Sequence, residues 1–158
     1  MNIGILSDTH GNMQAVEAAK HVFEKFDVEK VIHCGDIGGG DVVASLSGYE
    51  THFVLGNCDR PDLKDIIELS GNVCHGRFGE VDWENVLIAF LHGDNEPQLQ
   101  KVFASGEYNL ICCGHTHIHD LDKSNGTLKL NPGALSRTHQ PSVAVVKLPE
   151  LEIIRVAM

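Results

Sequence analysis

Short apolar runs alternate with amphipathic stretches along the first two thirds of the chain. Residues 2–6 and 86–91 are apolar without helical spacing, which is typical of buried strands. Residues 12–26 carry apolar side chains along one helical stripe, and Asn12 is suited to cap that helix. An order in which strands and helices alternate predicts a layered α/β fold.

The other elements of this alternating part are shorter. We predict strands at 31–32, 53–55 and 110–113, and helices at about 41–47 and 97–104. Gly48 would take the C′ position of the first of these helices, and Gly106 would end the second. A further helix is predicted with Pro61 in its first turn and Gly71 beyond its end.

After Gly114 the pattern changes to antiparallel hairpins. Segments 118–121 and 127–130 flank Ser-Asn-Gly, and an Asn-Gly pair between two strands is a strong hairpin signal. Segments 142–148 and 151–156 flank a Pro-Glu pair in the same way. Without repeats or linkers, we predict one domain over residues 1–158 with mixed sheets.

The composition excludes several classes of protein. A chain of 158 residues that is 42% apolar can bury a core without disulfides or a structural metal. Its longest apolar stretch is far shorter than the ~20 residues that a membrane span needs, and we expect no signal peptide or membrane association. The 5 Cys residues form no C-x-x-C pair, so we expect a reducing, cytoplasmic location.

The net charge of the chain also limits which partners it can bind. With 12 Lys+Arg against 22 Asp+Glu the formal net charge is −10, which argues against a long nucleic acid as partner. A bound metal cluster can reverse the sign locally, so a small phosphorylated substrate remains compatible with the chain. Whether the chain forms a homo-oligomer stays open.

Directly after each of five predicted strands, the chain carries polar side chains next to glycine. These strand-end segments are residues 7–11, 35–36, 56–59, 92–94 and 114–117. Because ligand crevices of α/β sheets lie at the carboxyl ends of strands, we expect these segments to converge on one place.

The converging segments carry seven metal-ligand candidates: Asp8, His10, Asp36, Asn57, His92, His115 and His117. Seven is too many for one tetrahedral ion and suits two ions that share a carboxylate. Since no thiolate is among them, the set favours Mn, Fe, Zn, Co or Ni over a zinc finger or an iron–sulfur centre.

Taken in order, these segments resemble the motifs of the calcineurin-like metallophosphoesterase superfamily. The motifs are Asp8-x-His10, Gly35-Asp36, Gly56-Asn57-x-Asp59, His92-Gly93 and Gly114-His115-x-His117. The compact length and the Asn131-Pro132-Gly133 turn are similar to the family's small bacterial and archaeal single-domain phosphodiesterases.

The resemblance implies two facing mixed β-sheets flanked by helices, a four-layer α/β (α+β) sandwich with a dinuclear site. It also implies a ligand assignment. The first ion would be held by Asp8, His10 and His117, and the second by Asn57, His92 and His115. Asp36 would bridge two divalent ions, with manganese preferred and Fe, Zn, Ni or Co as alternatives. Asp59 would orient a ligand or a neighbouring histidine.

The activity that the resemblance implies is hydrolysis of a small phosphodiester or nucleotide-like substrate, with Asp36, Asn57 and Asp59 as catalytic residues. A hydroxide shared by ions ~3.5–4 Å apart would attack phosphorus in line with the leaving oxygen. A phosphomonoesterase or nucleotide pyrophosphohydrolase on the same site is one alternative. Another is a non-catalytic protein-binding scaffold such as the retromer subunit of similar fold, although the complete ligand set favours an enzyme.

One position departs from the family pattern. Many members have a histidine directly after the asparagine of the third motif, where it is associated with leaving-group protonation, and this chain has Cys58. Either the substrates have good leaving groups, or His119 or His139 serves as the acid.

The remaining candidates have ordinary interpretations. His21, His52 and His75 lie outside the motifs and are expected to be satisfied polar residues, and His33 is expected to pack in the core or support the site. Residues 38–40 are three glycines without a following Gly-Lys, which favours a flexible active-site loop. Arg60 and Arg137 could clamp a phosphate, although solvated surface arginines are more common.

Overall fold

The computed structural model describes residues 1–158, which form eleven strands and four helices. The strands are β1 (Asn2–Leu6), β2 (Lys30–His33), β3 (Glu50–Phe53), β4 (Val73–Cys74), β5 (Phe78–Trp83), β6 (Val86–Leu91), β7 (Leu110–Cys112), β8 (Asp120–Ser124), β9 (Thr127–Asn131), β10 (Ser142–Lys147) and β11 (Glu152–Ala157). The helices are α1 (Met13–Lys25), α2 (Gly40–Ser45), α3 (Leu63–Leu69) and α4 (Glu96–Ser105).

The strands form two mixed sheets. The first has the order β11-β10-β1-β2-β3-β4. Strands β1 to β4 are parallel to one another, β10 is antiparallel to β1, and β11 is antiparallel to β10. The second has the order β5-β6-β7-β9-β8, with β6, β7 and β9 parallel between two antiparallel edge strands. In each sheet the carboxyl ends of the parallel strands therefore share one edge.

Three buried clusters arrange these elements in four layers. Ile3 and Ile5 of β1 face Ile88 and Phe90 of β6 in the cluster between the sheets. A second cluster joins the outer face of the first sheet to α1, α2 and α3. The third joins Phe103 of α4 to the alternate residues of β6 and β7. Because neighbouring residues of a strand point to opposite faces, each central strand is buried on both sides. The four-layer sandwich implied by the resemblance is confirmed.

Most predicted elements are present with nearly the predicted bounds. Helix α1 begins after Asn12, whose side chain accepts a hydrogen bond from the Ala15 N–H at 3.2 Å. Gly4 lets this helix approach the sheet, because a Cβ there would lie 2.7 Å from the Phe23 ring. Asn125 and Gly126 both have positive φ and join β8 to β9, as the hairpin signal predicts.

The predictions were wrong at several element ends and missed two strands. Helix α2 ends at Ser45 with Leu46 as its C-cap, so Gly48 is not its C′ residue, and Pro61 precedes the N-cap of α3. Strand β3 begins at Glu50, earlier than predicted, because its polar residues are held by hydrogen bonds. Strands β4 and β5 were missed because β4 has two residues and β5 alternates with charged ones. None of the four helices is long and apolar enough to cross a bilayer.

Candidate metal centre

The backbone of the strand-end loops is unusual at the predicted ligands. Five of them have positive φ: Asp8 (55°), His10 (44°), Asp36 (54°), His115 (69°) and His117 (63°). A non-glycine residue in this region is uncommon and costs roughly 1–2 kcal/mol. Strain of this kind clusters at functional sites, where the surrounding contacts hold it in place.

Backbone hydrogen bonds hold the loops after β1 and β2 together. The N–H groups of Asp8 and His10 donate to the carbonyls of Gly35 (3.0 Å) and Asp36 (2.9 Å), and Gly11 donates to Ile37 (3.0 Å). Such paired loops fix the positions of the side chains they carry. Asp8, His10 and Asp36 are therefore held on one side of the sheet edge.

Two histidines are oriented by carbonyl groups. His92 Nδ1 lies 2.8 Å from the Cys34 carbonyl, and His117 Nδ1 lies 3.3 Å from the Arg137 carbonyl. A carbonyl accepts only, so each Nδ1 carries the proton and each Nε2 presents a lone pair. This is the arrangement commonly seen for histidines that bind a metal through Nε2.

The lone pairs and carboxylates converge. Asp36 Oδ2 lies 3.5 Å from His10 Nε2 and 3.3 Å from His92 Nε2. Asp8 Oδ1 lies 3.2 Å from His117 Nε2, 3.9 Å from His10 Nε2 and 4.0 Å from His92 Nε2. The second oxygen of each carboxylate accepts a backbone N–H, from Cys58 for Asp36 (2.9 Å) and from His115 for Asp8 (3.1 Å).

Several of these converging atoms have no hydrogen-bond partner. Asp8 Oδ1, His10 Nε2 and His92 Nε2 are buried and unsatisfied. An orphaned buried polar atom costs about 1–3 kcal/mol, so such a group needs an explanation. Divalent cations fit, since the ligand atoms of Asp8, His10 and His117 lie within 4.8 Å of one another, and so do those of Asp8, Asp36 and His92.

The other two predicted ligands lie on the solvent side of this cluster. His115 is exposed and its ring packs edge-on against His92, with centroids 5.1 Å apart. Asn57 is exposed and its amide contacts Cys58 Sγ at 3.8 Å. The structure thus brings five of the seven candidates into one buried cluster and leaves Asn57 and His115 at its rim.

The charges within the cluster support one another. Burial raises the pKa of Asp36, but the nearby His92 imidazole and the hydrogen bond from the Cys58 N–H outweigh it and hold the pKa below its usual value. Burial lowers the pKa of His92, and Asp36 more than compensates, so that pKa is raised. The pKa of His10 is lowered by burial and then by the charge of Arg137. Asp36 is therefore an ionised carboxylate at the centre of the cluster.

Asp59 supports the ligand loops from outside. Its carboxylate accepts N–H groups from Ile37 (2.9 Å), Gly38 (3.2 Å) and Gly56 (2.9 Å). It thereby ties the loop that carries Asp36 to the loop that carries Asn57. The structure shows that it orients ligand backbone and no histidine.

His33 supports the same loops from below. Its Nδ1 accepts the Gly35 N–H (3.1 Å), so its Nε2 donates to Thr9 Oγ1 (2.9 Å), and that hydroxyl donates to the Ile37 carbonyl (2.7 Å). Burial lowers the pKa of His33 to about 3, so it is neutral. His33 is thus buried and bonded to the loops after β1 and β2, and it takes no part in the cluster.

Three clefts open beside the cluster. One contains the cluster residue His117, one contains the rim residue His115, and one is reached through Cys58, whose Sγ lies close to ligand atoms of His10 and Asp36. The glycine cleft, about 360 Å³, is lined by residues 38–40, Cys58 and Leu63. The histidine cleft, about 290 Å³, is lined by His117 and residues farther along the chain. A third, about 200 Å³, contains His115. A molecule bound at the cluster can therefore extend into more than one cleft.

The remaining candidates are also located. Cys58 is exposed, with its Sγ within 4.8 Å of ligand atoms of His10 and Asp36, and desolvation followed by the charge of Asp36 raises the pKa of its thiol. His119 and His139 both line the histidine cleft. Arg60 is exposed and paired with Asp62.

Of the histidines outside the motifs, His21 is an exposed neighbour of Glu24, and His52 and His75 bond to each other, as expected of satisfied polar residues. Sequence reasoning missed two contributors to the site. Asn131 donates to the Gly114 carbonyl (2.9 Å) and Thr116 (3.0 Å), which steadies the last ligand loop, and Arg155 lines the histidine cleft. No local motif marks Arg155, because it lies on an edge strand whose pattern is that of a hairpin.

The chain is similar to known proteins over most of its length. A family model described as the calcineurin-like phosphoesterase superfamily domain matches residues 1–150. A phosphodiesterase of Methanocaldococcus jannaschii is 31% identical over 141 residues, covering 84% of this chain and 83% of the relative. A probable metallophosphoesterase of Methanothermobacter thermautotrophicus is 30% identical over 168 residues, covering 98% and 92%. The solved structure of an archaeal phosphodiesterase superposes with a TM-score of 0.92 at 26% identity over all of both chains.

Proposed function

The chain belongs to the calcineurin-like phosphoesterase superfamily, and from that premise we propose that it is a divalent-metal-dependent phosphodiesterase acting on a small phosphodiester or nucleotide-like substrate. The observation that carries the proposal is the set of unsatisfied lone pairs that converge from both sheets. Asp8 and His10 come from the first sheet and His92 from the second, and nothing in the protein satisfies them.

We propose the ligand assignment that the family resemblance implies, and the convergence of five of the seven residues supports it. Asp8, His10 and His117 would hold one ion and His92, with Asn57 and His115 from the rim, the other. Asp36 Oδ2 lies between the Nε2 atoms of His10 and His92, which suits a bridging carboxylate. When bound, two such ions, manganese in the first instance, would lower the pKa of a shared water to near neutrality and offset charge on the phosphoryl oxygens.

The chain's own residues would position the substrate. Arg137 is not ion-paired, and its charge is near enough to lower the pKa of His10 after burial. A guanidinium there suits a phosphoryl oxygen, because arginine binds phosphate through paired N–H donors. Arg60 is already paired with Asp62, so Arg137 is the better phosphate clamp of the two arginines.

Two features support a diester over a monoester. A relative of this chain is named a phosphodiesterase. In addition, the glycine cleft and the histidine cleft touch the cluster through different residues, Cys58 and His117, which leaves room for a group on each side of phosphorus.

The absence of the usual histidine at position 58 bears on the leaving group. The raised pKa of Cys58 keeps its thiol neutral and a poor proton donor near neutral pH. His119 and His139 both line the histidine cleft, and either is suited to protonate a group that departs there. We therefore expect rates to rise with more acidic leaving groups unless one of these two imidazoles serves as the acid.

The test is to strip the protein with a chelator, restore Mn²⁺, and compare hydrolysis of bis-p-nitrophenyl phosphate with that of p-nitrophenyl phosphate. We expect no turnover in chelator, recovery with Mn²⁺, and preference for the diester. Preference for the monoester would replace the diesterase proposal with a phosphomonoesterase. If neither ester is cut while metal is bound, the catalytic proposal fails for these substrates and the scaffold alternative gains weight.

A further inference from the structure

The histidine cleft has a chemistry that the metal cluster does not require. It is lined by Arg155, His119, His139, Thr138 and Gln140 together with the ligand His117, and no Asp or Glu lines it. In a chain with 22 acidic and 12 basic side chains, a cleft that contains an arginine and no Asp or Glu is a local exception. Its polar side chains are all able to donate hydrogen bonds.

The arginines of the chain differ in a way that singles out this cleft. Arg60 pairs with Asp62, and Arg77 pairs with Asp94. Arg137 and Arg155 form no ion pair. Of the two arginines without an acidic partner, Arg137 thus lies beside the cluster, and Arg155 lines the histidine cleft, which contains the cluster residue His117.

The position of Arg155 is set by the pairing of its strand. It lies on β11 opposite Ala144 of β10, and β10 pairs with β1, the strand that leads into Asp8. The guanidinium is therefore presented by a sheet continuous with the ligand loops and not by a loose terminus. A site on a strand holds its geometry better than a site on a loop.

Resting on the proposed function, we propose that the histidine cleft is a specificity subsite for a second anionic group of the substrate. Arg155 supplies the charge, and Thr138, Gln140 and the imidazoles of His119 and His139 supply further hydrogen-bond donors. The group that fits this chemistry is a phosphate carried on one ester arm, as in a nucleotide with phosphates at two positions. The cleft of about 290 Å³ has room for such a group, and its contact with His117 brings that arm to the metal cluster.

The test uses a pair of substrates with the same scissile bond. Thymidine 5′-(p-nitrophenyl phosphate) is compared with its 3′-phosphorylated form in the Mn²⁺-loaded protein and in the Arg155→Gln variant. We expect the variant to raise KM for the 3′-phosphorylated substrate by about tenfold, as loss of a charge-assisted hydrogen bond predicts, while KM for the other substrate and both kcat values change little.

Two further variants serve as controls. Lys147→Gln removes a positive charge from the far end of the same β10–β11 hairpin, where Lys147 pairs with Glu152, and should leave both KM values unchanged. Arg155→Lys keeps the charge and should recover part of the preference. An equal change of KM for both substrates in Arg155→Gln, or no change for either, would overturn the subsite.

A binding measurement separates this subsite from the phosphodiesterase proposal. In the metal-stripped protein, the ¹H–¹⁵N signal of Arg155 Nε is followed while thymidine 3′,5′-bisphosphate or thymidine is added. We expect a saturable shift with the bisphosphate only, whether or not the enzyme cuts either ester. An Arg155 signal that does not respond rejects the subsite even if the phosphodiesterase activity is found.

Discussion

At the scale of single residues, the predicted centre combines backbone strain with unsatisfied side-chain atoms. Asp36 has a φ of 54°, and its Oδ2 faces the Nε2 atoms of both His10 and His92. Its Oδ1 accepts the Cys58 N–H at 2.9 Å, which fixes the plane of the carboxylate. Oδ1 thus binds the loop that carries Cys58, and Oδ2 faces the cluster.

For this reason Asp36→Ala should abolish Mn²⁺-dependent hydrolysis of bis-p-nitrophenyl phosphate, because the carboxylate proposed to hold both ions is gone. Asp36→Asn, which keeps an oxygen for the Cys58 N–H, should also be inactive and should fold normally by circular dichroism. Asp82→Asn on the exposed side of β5 is the matched control and should keep full activity. Turnover retained in Asp36→Ala with metal bound would reject the dinuclear arrangement.

The sequence was informative at this scale where chemistry is local. Spacing and residue type predict Asp8, His10 and His117 as ligands, because an apolar run followed by glycine and metal-binding side chains is a local pattern. Arg155 and Asn131 could not be found in this way. Each reaches the site only because distant strands become neighbours in the sheets, β11 beside β10 and β9 beside β7.

At the scale of elements, the site depends on how loops are joined to one another. The loops after β1 and β2 share three backbone hydrogen bonds, and Asp59 connects the second of them to the loop after β3. These connections could not be predicted from the sequence. A carboxylate near a glycine-rich loop suggests that it stabilises the loop, but the sequence does not show which N–H groups donate to it. Strands β4 and β5 were missed for a related reason, because edge strands with exposed residues carry little hydrophobic periodicity.

Asp59→Asn tests the connection between these loops. An amide keeps one acceptor oxygen but turns an N–H₂ group toward a backbone N–H that Asp59 now satisfies, so the free energy of unfolding should fall by about 1–2 kcal/mol. Hydrolysis should be reduced but not abolished, less than in Asp36→Ala. Urea denaturation and Mn²⁺ titration measure the two effects. Asp65→Asn on the exposed face of α3 is the control, and an equal loss there would reject the role of Asp59.

At the scale of the whole molecule, the centre exists only because two sheets face each other. His10 and Asp36 follow strands of the first sheet, and His92 follows β6 of the second. The alternation of strands and helices predicts that strand ends converge within one sheet. The two sheets face each other because fifteen buried side chains pack between them. Local sequence patterns do not encode this packing, so the arrangement of the sheets was predicted only through the family resemblance.

The contact between the sheets also contains titratable groups, which predicts how stability depends on pH. His52 of β3 bonds to His75 through Nδ1 (2.9 Å) and to Glu50 through Nε2 (3.2 Å), and Lys30 pairs with that same Glu50. Its ring packs edge-on against Trp83 of the other sheet. Burial lowers the pKa of both His52 and His75, with Glu50 opposing the shift at His52 and His52 adding to it at His75.

Because these pKa values are lower in the folded chain than in the unfolded one, the unfolded chain binds more protons in acid. Stability should therefore be unaffected above the unfolded value of about 6.5 and fall as the pH drops below it. His75→Phe keeps the ring packing against Phe90 but removes one titrating group, so its stability should fall less steeply between pH 7.5 and 5.5. Urea denaturation in chelator measures this, since His10 and His33 titrate in both proteins and cancel in the comparison. Parallel slopes for the two proteins would mean that His75 does not contribute to acid sensitivity.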